Sequence, residues 1–409
     1  MPRTVIGLCD SDSFVKWGAS LLDTLPEDWA VELVIIATAL TASDRQITDA
    51  VAGTRFAQRR LSVLRISELL ADRRLGDADS VFVCCRGPIA ELLLAELSAR
   101  GPKRPVLVTG LPGISVPAKW RGIAHRAQAD LFVLHSKREV RDYRELAEER
   151  GLDVEFALAT LPFARLRPAD YERLADSIVF AAQAIVPLAV ADRQRLARTL
   201  VAVAEANPAL RVVLKVRAVA GEAQTHTEEH PLEDLLPTRT PPNLLVEAGP
   251  MLAHLERAIG FASVSSTAVM EAIAAGVPSL LIDDFGVDRD LINEVFVGSG
   301  LLAPSGELVA GRFRTVNDGW RDTNYFHQEA DNTLLRRLDA LIAVRESSPL
   351  PERSAVRRAR GGTLRRAWDR RQALGTYDRT VLGRLAWAIG TPISKVRRVH
   401  RSLAVWKSV

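Results

Sequence analysis

The chain has 409 residues, 47% of them hydrophobic and 25% charged. That length suits two packed domains at roughly 100 to 200 residues each, and that composition excludes wholesale disorder, a collagen-like repeat and a disulfide scaffold. The net charge of +4 is unevenly spread: residues 351–409 carry 15 Lys or Arg against 3 Asp or Glu, so the body is acidic and the tail basic, which sends the tail toward an anionic surface and argues against nucleic acid as the body's partner.

Met1-Pro2-Arg3 opens directly into an apolar strand with no signal-peptide core, and no run approaches the ~18 apolar residues of a membrane span, so a cytoplasmic location is expected. Nearly continuous apolar runs at 5–8, 31–37, 81–85, 106–109, 131–135 and 154–159 predict strands buried on both faces of a parallel sheet. Between them lie helical patterns with clear ends, such as Ser136 capping 137–150 before Gly151, and 88–99 opened by Pro88 and followed by Gly101. Cys9, Cys84 and Cys85 fall inside these runs and read as buried free thiols of a reducing compartment. After a connection at 161–170, a second winding follows, with strands at 177–181, 211–216, 243–247, 261–264 and 278–282 and helices at 189–206, 251–259, 267–275 and 287–297. The fold class is therefore α/β: two Rossmann-like domains, 1–165 and 171–345, facing a cleft, with a basic amphipathic tail over 346–409.

The segment from Phe261 to Pro278 is the richest in chemistry. A strand ends in Ser265, Ser266 and Thr267, a short helix carries Glu271 one turn in, Gly276 stops it and Pro278 opens the next strand. Free amides and hydroxyls at a helix start suit a phosphate, and Glu271 is placed for ribose hydroxyls; the alternative is a plain helix cap. Lys215 and Arg217, at the end of a strand, can neutralise a phosphate leaving group or lie on a solvated edge. Asp10-Ser11-Asp12 follows the first strand, so either Asp10 or Asp12 is a general base for an acceptor hydroxyl, or Ser11, Asp12 or Ser13 simply caps the helix that follows. His226-Thr-Glu-Glu-His230 has the H-x-x-E-H spacing of some zinc peptidases, but Pro231 opposes the shared helical face that ligation needs, so no metal site is expected.

The stretch from Ser265 to Pro278 resembles the donor-site signature of B-fold (GT-B) glycosyltransferases, and is most similar to their sialyltransferase, capsule-polysaccharide and polyglycerol-phosphate transferase types. Asp10-Ser-Asp12-Ser-Phe-Val-Lys16-Trp17, Gly110-Leu-Pro-Gly113, Lys215-Val-Arg217 and Asn293-Glu-Val-Phe-Val-Gly-Ser-Gly300 also resemble a family of glycosyltransferases without an assigned reaction. The resemblance implies an acceptor-side first domain and a nucleotide-binding second domain. It implies a serine pair on the donor phosphate, Glu271 on the ribose, and an inverting reaction needing neither metal nor cofactor. Where the sialyltransferase type has a Lys-Pro-His-Pro-like element this chain departs from it, offering Lys215-Val-Arg217, then His226, then His230-Pro231, so the nucleotide-side histidine is either His226 or His230.

The expected function is transfer of a sugar or sugar-like unit from a nucleotide-activated donor to a hydroxyl of a glycan or lipid-linked acceptor, in cell-surface glycan assembly. The same donor site also suits a nucleotide-sugar epimerase or hydrolase. A further alternative is a haloacid-dehalogenase-like phosphatase with Asp10 and Asp12 at its centre and Asp283-Asp284 holding magnesium. A non-catalytic glycan-binding module would not need a basic pair facing three hydroxyls. In the tail, arginines from Arg357 to Arg371 precede Leu382, Leu385, Trp387 and Ile389, an arrangement suited to lying on an anionic membrane; a helix packed back on the body, or a solvated tail, is the alternative.

Overall fold

Strands that are apolar on both faces need helices on both sides, and each half of the chain supplies them. In the computed structural model, which describes residues 2–161, 164, 174–183, 186–216, 229–353, 355–356 and 362–390, the first half forms β1 (Thr4–Cys9), β2 (Ala30–Ile36), β3 (Ser62–Leu64), β4 (Ser80–Cys84), β5 (Val106–Gly110), β6 (Leu131–Leu134) and β7 (Phe156–Leu158). The crossovers carry α1 (Asp12–Leu22), α2 (Asp44–Val51), α3 (Ile66–Ala71), α4 (Arg74–Asp77), α5 (Gly87–Ser98), α6 (Trp120–Ala124) and α7 (Lys137–Glu149). All pairings are parallel, in the order β3-β2-β1-β4-β5-β6-β7. Successive β1 residues serve opposite faces: Val5 and Cys9 join the core that holds Trp17 and Leu21 of α1, while Ile6 and Leu8 join that of Leu93 and Leu97 of α5.

The second half repeats the plan with β8 (Ser177–Ala181), β9 (Arg211–Lys215), β10 (Leu244–Glu247), β11 (Ala258–Ser263), β12 (Ser279–Ile282) and β13 (Leu302–Ala303), again parallel, in the order β10-β9-β8-β11-β12-β13. Its helices are α8 (Val190–Ala206), α9 (Met251–Leu255), α10 (Ala268–Ala274), α11 (Ser305–Val309) and α12 (Asp318–Thr323). Each sheet reverses its direction of winding once, between β1 and β4 and between β8 and β11. The crevice beyond the strand ends at such a reversal is where open α/β sheets bind ligands.

The chain then returns to the first domain. Leu334, Leu338 and Ile342 of α13 (Leu334–Ser347) are buried in the first core, and Arg3 and Arg337 tie this helix to its surroundings through Asp339 and Glu155. An expected domain boundary at 345 thus assigns α13 to one half by sequence, while its apolar face belongs to the other. In α14 (Gly362–Leu374), Leu374 is buried among the α5 residues, so this part of the basic tail is a packed element. A last helix, α15 over residues 381–390, buries Ala386 and stacks Trp387 on Trp368 with ring centroids 6.2 Å apart.

Three local expectations change. β3 and β13 are too short for their periodicity to register. The helix expected over 287–297 does not form. Asp288 accepts from the amides of Asp290 and Leu291, the buried Asn293 side chain donates to the Gly286 carbonyl and accepts from the Asp288 amide, and Ile292 has φ 58°. Short polar side chains have captured the backbone donors a helix would use, leaving one 3-10 turn at Glu294–Phe296.

Candidate active site

The reversal point of the first sheet is built on Asp10. Its side chain is fully buried, with Oδ2 accepting from Arg86 Nε at 2.8 Å and Oδ1 from the Arg86 amide at 3.1 Å, so the end of β1 is pinned to the start of α5. Thr38, from the end of β2, donates to the Asp10 carbonyl and receives Arg86. Ser11 starts α1 in extended conformation but makes no capping bond; its hydroxyl turns to Asp10 at 3.4 Å. The capping alternative for this segment therefore fails at Ser11, and both Asp10 oxygens are committed to Arg86. Asp12 is half-buried in the first turn of α1.

The rest of α1 is fixed from the side. Trp17 Nε1 donates to His135 Nε2 at 2.6 Å, while His135 Nδ1 donates to the Ala159 carbonyl at 2.9 Å, so both ring nitrogens are used; burial pushes this imidazole down to about 4. Gly110 has no side chain because a Cβ there would stand 2.7 Å from the Trp17 ring and from the Val133 carbonyl oxygen. At the α7 N-terminus, Ser136 accepts from the Glu139 amide as expected. The buried Glu139 carboxylate accepts from the amides of Ser115 and His135 and from Tyr325 Oη at 2.6 Å, tying α7 to the segment after α12; burial raises it to about 7 against the pull of those donors.

At the second reversal point, Gln183 beyond β8 meets Ser265 beyond β11. Gln183 Oε1 accepts from the Ser265 amide at 2.9 Å, and its amide group bonds the Ser265 hydroxyl. The Ser266 amide donates to Ser263 Oγ, and Ser266 Oγ accepts from the Ala268 amide. The backbone amides of Ser265, Ser266 and Ala268, expected to be open for phosphate, thus have internal acceptors, and α10 is only seven residues long. What the loop presents instead is hydroxyl: Thr267 is exposed and makes no cap bond, and the proton of Ser266 Oγ is still available to donate. Lys215 ends β9 opposite Glu247 of β10. Arg217 and His226 lie outside the described residues.

The two halves meet through α1 and α10, where Lys16 Nζ lies 3.8 Å from Glu271 Oε1, with both side chains partly exposed. The structure therefore brings together the Asp10–Trp17 opening, the Ser265–Thr267 loop and Glu271. Arg86 and Gln183 were not singled out in the sequence, since each lies in a loop without a motif and acts on a residue some 80 positions away. The phosphatase alternative fails on topology: Asp283 and Asp284 follow β12 of the second sheet whereas Asp10 follows β1 of the first, and Asp284 is engaged with the Ser305 amide and Arg195.

Among solved structures, a putative UDP-N-acetylglucosamine 2-epimerase from Listeria monocytogenes is similar over 87% of this chain and 100% of its own, at 15% identity and TM-score 0.54. The S. aureus MnaA–UDP co-structure is similar over 81% of this chain and 92% of its own, at 10% identity and TM-score 0.51. At such identities the likeness is one of fold, and it agrees with the two facing Rossmann-like domains. No curated protein matches the chain in sequence. A family model described as "Putative glycosyltransferase (DUF6716)" matches residues 5–341, a span that takes in both sheets and every site element described above, and the chain belongs to that family.

Proposed function

We propose that the protein transfers a sugar or sugar-like unit from a nucleoside-diphosphate donor to a hydroxyl acceptor in surface-glycan assembly, with inversion and without a metal. The observation that carries this reading is the meeting of two reversal-point crevices across the Lys16–Glu271 contact, which gives one cleft a donor wall and an acceptor wall. UDP is the probe of choice, because a solved structure of similar fold is a UDP complex. Ser266 and Thr267 hydroxyls and Lys215 would face the phosphates, with Arg217 and His226 assigned to the same side from the sequence. Glu271 would take the ribose hydroxyls. Lys215 supplies charge to the departing phosphate, an interaction that strengthens as the glycosidic bond breaks.

The test is calorimetric binding of UDP to the full chain and to Ser266→Ala/Thr267→Ala and Glu271→Ala. Each lost charge-assisted bond should weaken binding by about 1.5 to 3 kcal/mol, or roughly 10- to 150-fold. Unchanged affinity in all variants removes the donor-site assignment. Product analysis with UDP-N-acetylglucosamine then separates the chemistries: a new glycoside supports transfer, free sugar alone supports a hydrolase, and a changed C2 configuration supports an epimerase.

We further propose that α15 rests on an anionic membrane surface. None of the described helices is long and apolar enough to cross a bilayer. Leu382, Leu385 and Ile389 follow the i, i+3, i+7 spacing of one helical face and are exposed, Leu385 by 54% and Ile389 by 58%. Arg384 lies on the same helix and Arg379 just before it, and apolar side chains flanked by arginines on a short helix fit the boundary between headgroups and acyl chains. A lipid-linked acceptor would then be held at the cleft's own side of the membrane.

A further inference from the structure

A second pair of side chains stands at the reversal point of the first sheet. His125 caps the C-terminus of α6, and Arg126 beside it is buried, with its guanidinium on the carbonyls of Cys85, Gly110 and Gly122. Two of those carbonyls close β4 and β5, so the backbone of His125 is held over the carboxyl ends of these strands. Its ring lies against Gly87, where a Cβ would stand 2.6 Å from Cδ2. That close approach brings Nδ1 to 2.6 Å from Oε2 of Glu91, one helical turn further along α5. The histidine side chain is 18% exposed and the carboxylate 33%.

Donation from Nδ1–H to the carboxylate fixes the tautomer and leaves the Nε2 lone pair as the open position. Nε2 of His125 has no hydrogen-bond partner among the described residues. Of the other buried or half-buried histidines, His135 uses both nitrogens and His254 pairs with Glu247 and the Ala248 carbonyl, while His327 bonds Asn332 through Nε2 and its unpartnered Nδ1 is buried away from solvent. Asp10, in the same crevice, is occupied by Arg86.

We propose that His125 is the general base of the transfer reaction, with Glu91 as its positioning residue; this rests on the nucleotide-sugar reading above. Nε2 takes the proton of the acceptor hydroxyl as its oxygen forms a bond to the anomeric carbon. The bond from that carbon to the phosphate oxygen breaks, and its electron pair leaves with the nucleotide. The imidazolium, held against the Glu91 carboxylate, returns its proton to solvent after the product departs. A base on the first-domain wall, opposite the leaving group, is the placement that inversion requires.

The experiment uses the full chain and its His125→Gln, His125→Ala, Glu91→Gln, Glu91→Asp and Asp12→Asn variants, measuring UDP affinity by calorimetry and UDP release from UDP-N-acetylglucosamine across pH 5 to 9. UDP affinity should stay within about twofold in the His125 and Glu91 variants, since both side chains lie on the wall away from the donor loop. His125→Gln should lower kcat by about 10²- to 10⁴-fold with KM little changed, and should abolish the acid limb of the rate profile. Added imidazole should restore part of the turnover of His125→Ala, and Glu91→Asp should recover part of what Glu91→Gln loses. Retention of turnover and of the acid limb by His125→Gln overturns the proposal, as does loss of that limb in Asp12→Asn alone. Failure of the wild-type chain to bind UDP overturns the donor reading instead, and the inference falls with it.

Discussion

The Asp10–Arg86 pair predicts an asymmetry that separates a structural anchor from a catalytic base. Asp10 is fully buried, while the Arg86 side chain is 29% exposed and reaches it with Nε at 2.8 Å. At an effective dielectric constant of 20 the gross attraction over that distance is about 6 kcal/mol, most of it offset by the cost of taking both groups from water. Arg86→Ala leaves a carboxylate buried without its partner, which costs about 3 to 5 kcal/mol; partial solvent access at Arg86 places the expectation near about 3. Asp10→Asn is milder. The amide still accepts from the Arg86 amide, the freed guanidinium can turn to water, and the loss is about 1 to 2 kcal/mol, the difference between a charge-assisted and a neutral bond. The double variant should be more stable than the sum of the single losses predicts, because the two side chains share one interaction. Urea unfolding followed by circular dichroism measures all three, with UDP release measured in parallel. If Asp10→Asn unfolds at the wild-type midpoint while turnover collapses, Asp10 is the base and the anchor argument is wrong.

Two further predictions concern other parts of the chain. Glu139 is raised to about 7 by burial, so the folded state binds more protons than the unfolded one between about pH 4.5 and 7, and stability falls as pH rises through that window. His135, lowered to about 4, acts in the opposite sense between about 4 and 6.5. The two contributions oppose each other in the native protein; Glu139→Gln, whatever its absolute stability, should therefore show a stability that climbs more steeply from pH 4 to 7 than the wild type does, and parallel profiles would refute the assignment. For the tail, Leu385→Glu/Ile389→Glu in the full chain should abolish flotation with anionic vesicles while leaving UDP affinity unchanged, and high salt should weaken wild-type flotation; equal flotation of both proteins, or none by the wild type, sinks the membrane proposal. Point substitution is preferred to deletion because removing the chain after residue 350 would strip Leu374 from the α5 core.

The fold was readable because buried parallel strands announce themselves twice, by unbroken apolar runs and by the helix signals between them. Ser136, Pro88 and Gly151 each end a helix for a local reason, and the local reason survives in the folded chain. What failed was local in appearance and decided at a distance, or the reverse. The segment 287–297 has helix-compatible apolar spacing, yet Asp288 and Asn293 settle its backbone within a few residues. α13 looks like the last helix of the second domain, yet its Leu334-Leu338-Ile342 face is complementary to a sheet formed almost 200 residues earlier.

The site shows the same division. Ser265 to Thr267 and Glu271 could be picked out because their chemistry lies along one stretch of sequence, but the purpose of each hydroxyl could not, since Gln183 decides what Ser265 does and Ser263 decides what the Ser266 amide does. Asp10 drew notice as a carboxylate at a strand end, and the residue that commits it, Arg86, is 76 positions away. Glu91 and His125 carry no motif at all; 34 residues separate them, and they meet only because Gly87 admits the ring and Arg126 holds the backbone over the strand ends. In a doubly wound sheet the reversal point collects residues from strands that are neighbours in space and strangers in sequence. Motif reading therefore finds the wall made of one loop and misses the wall assembled from three.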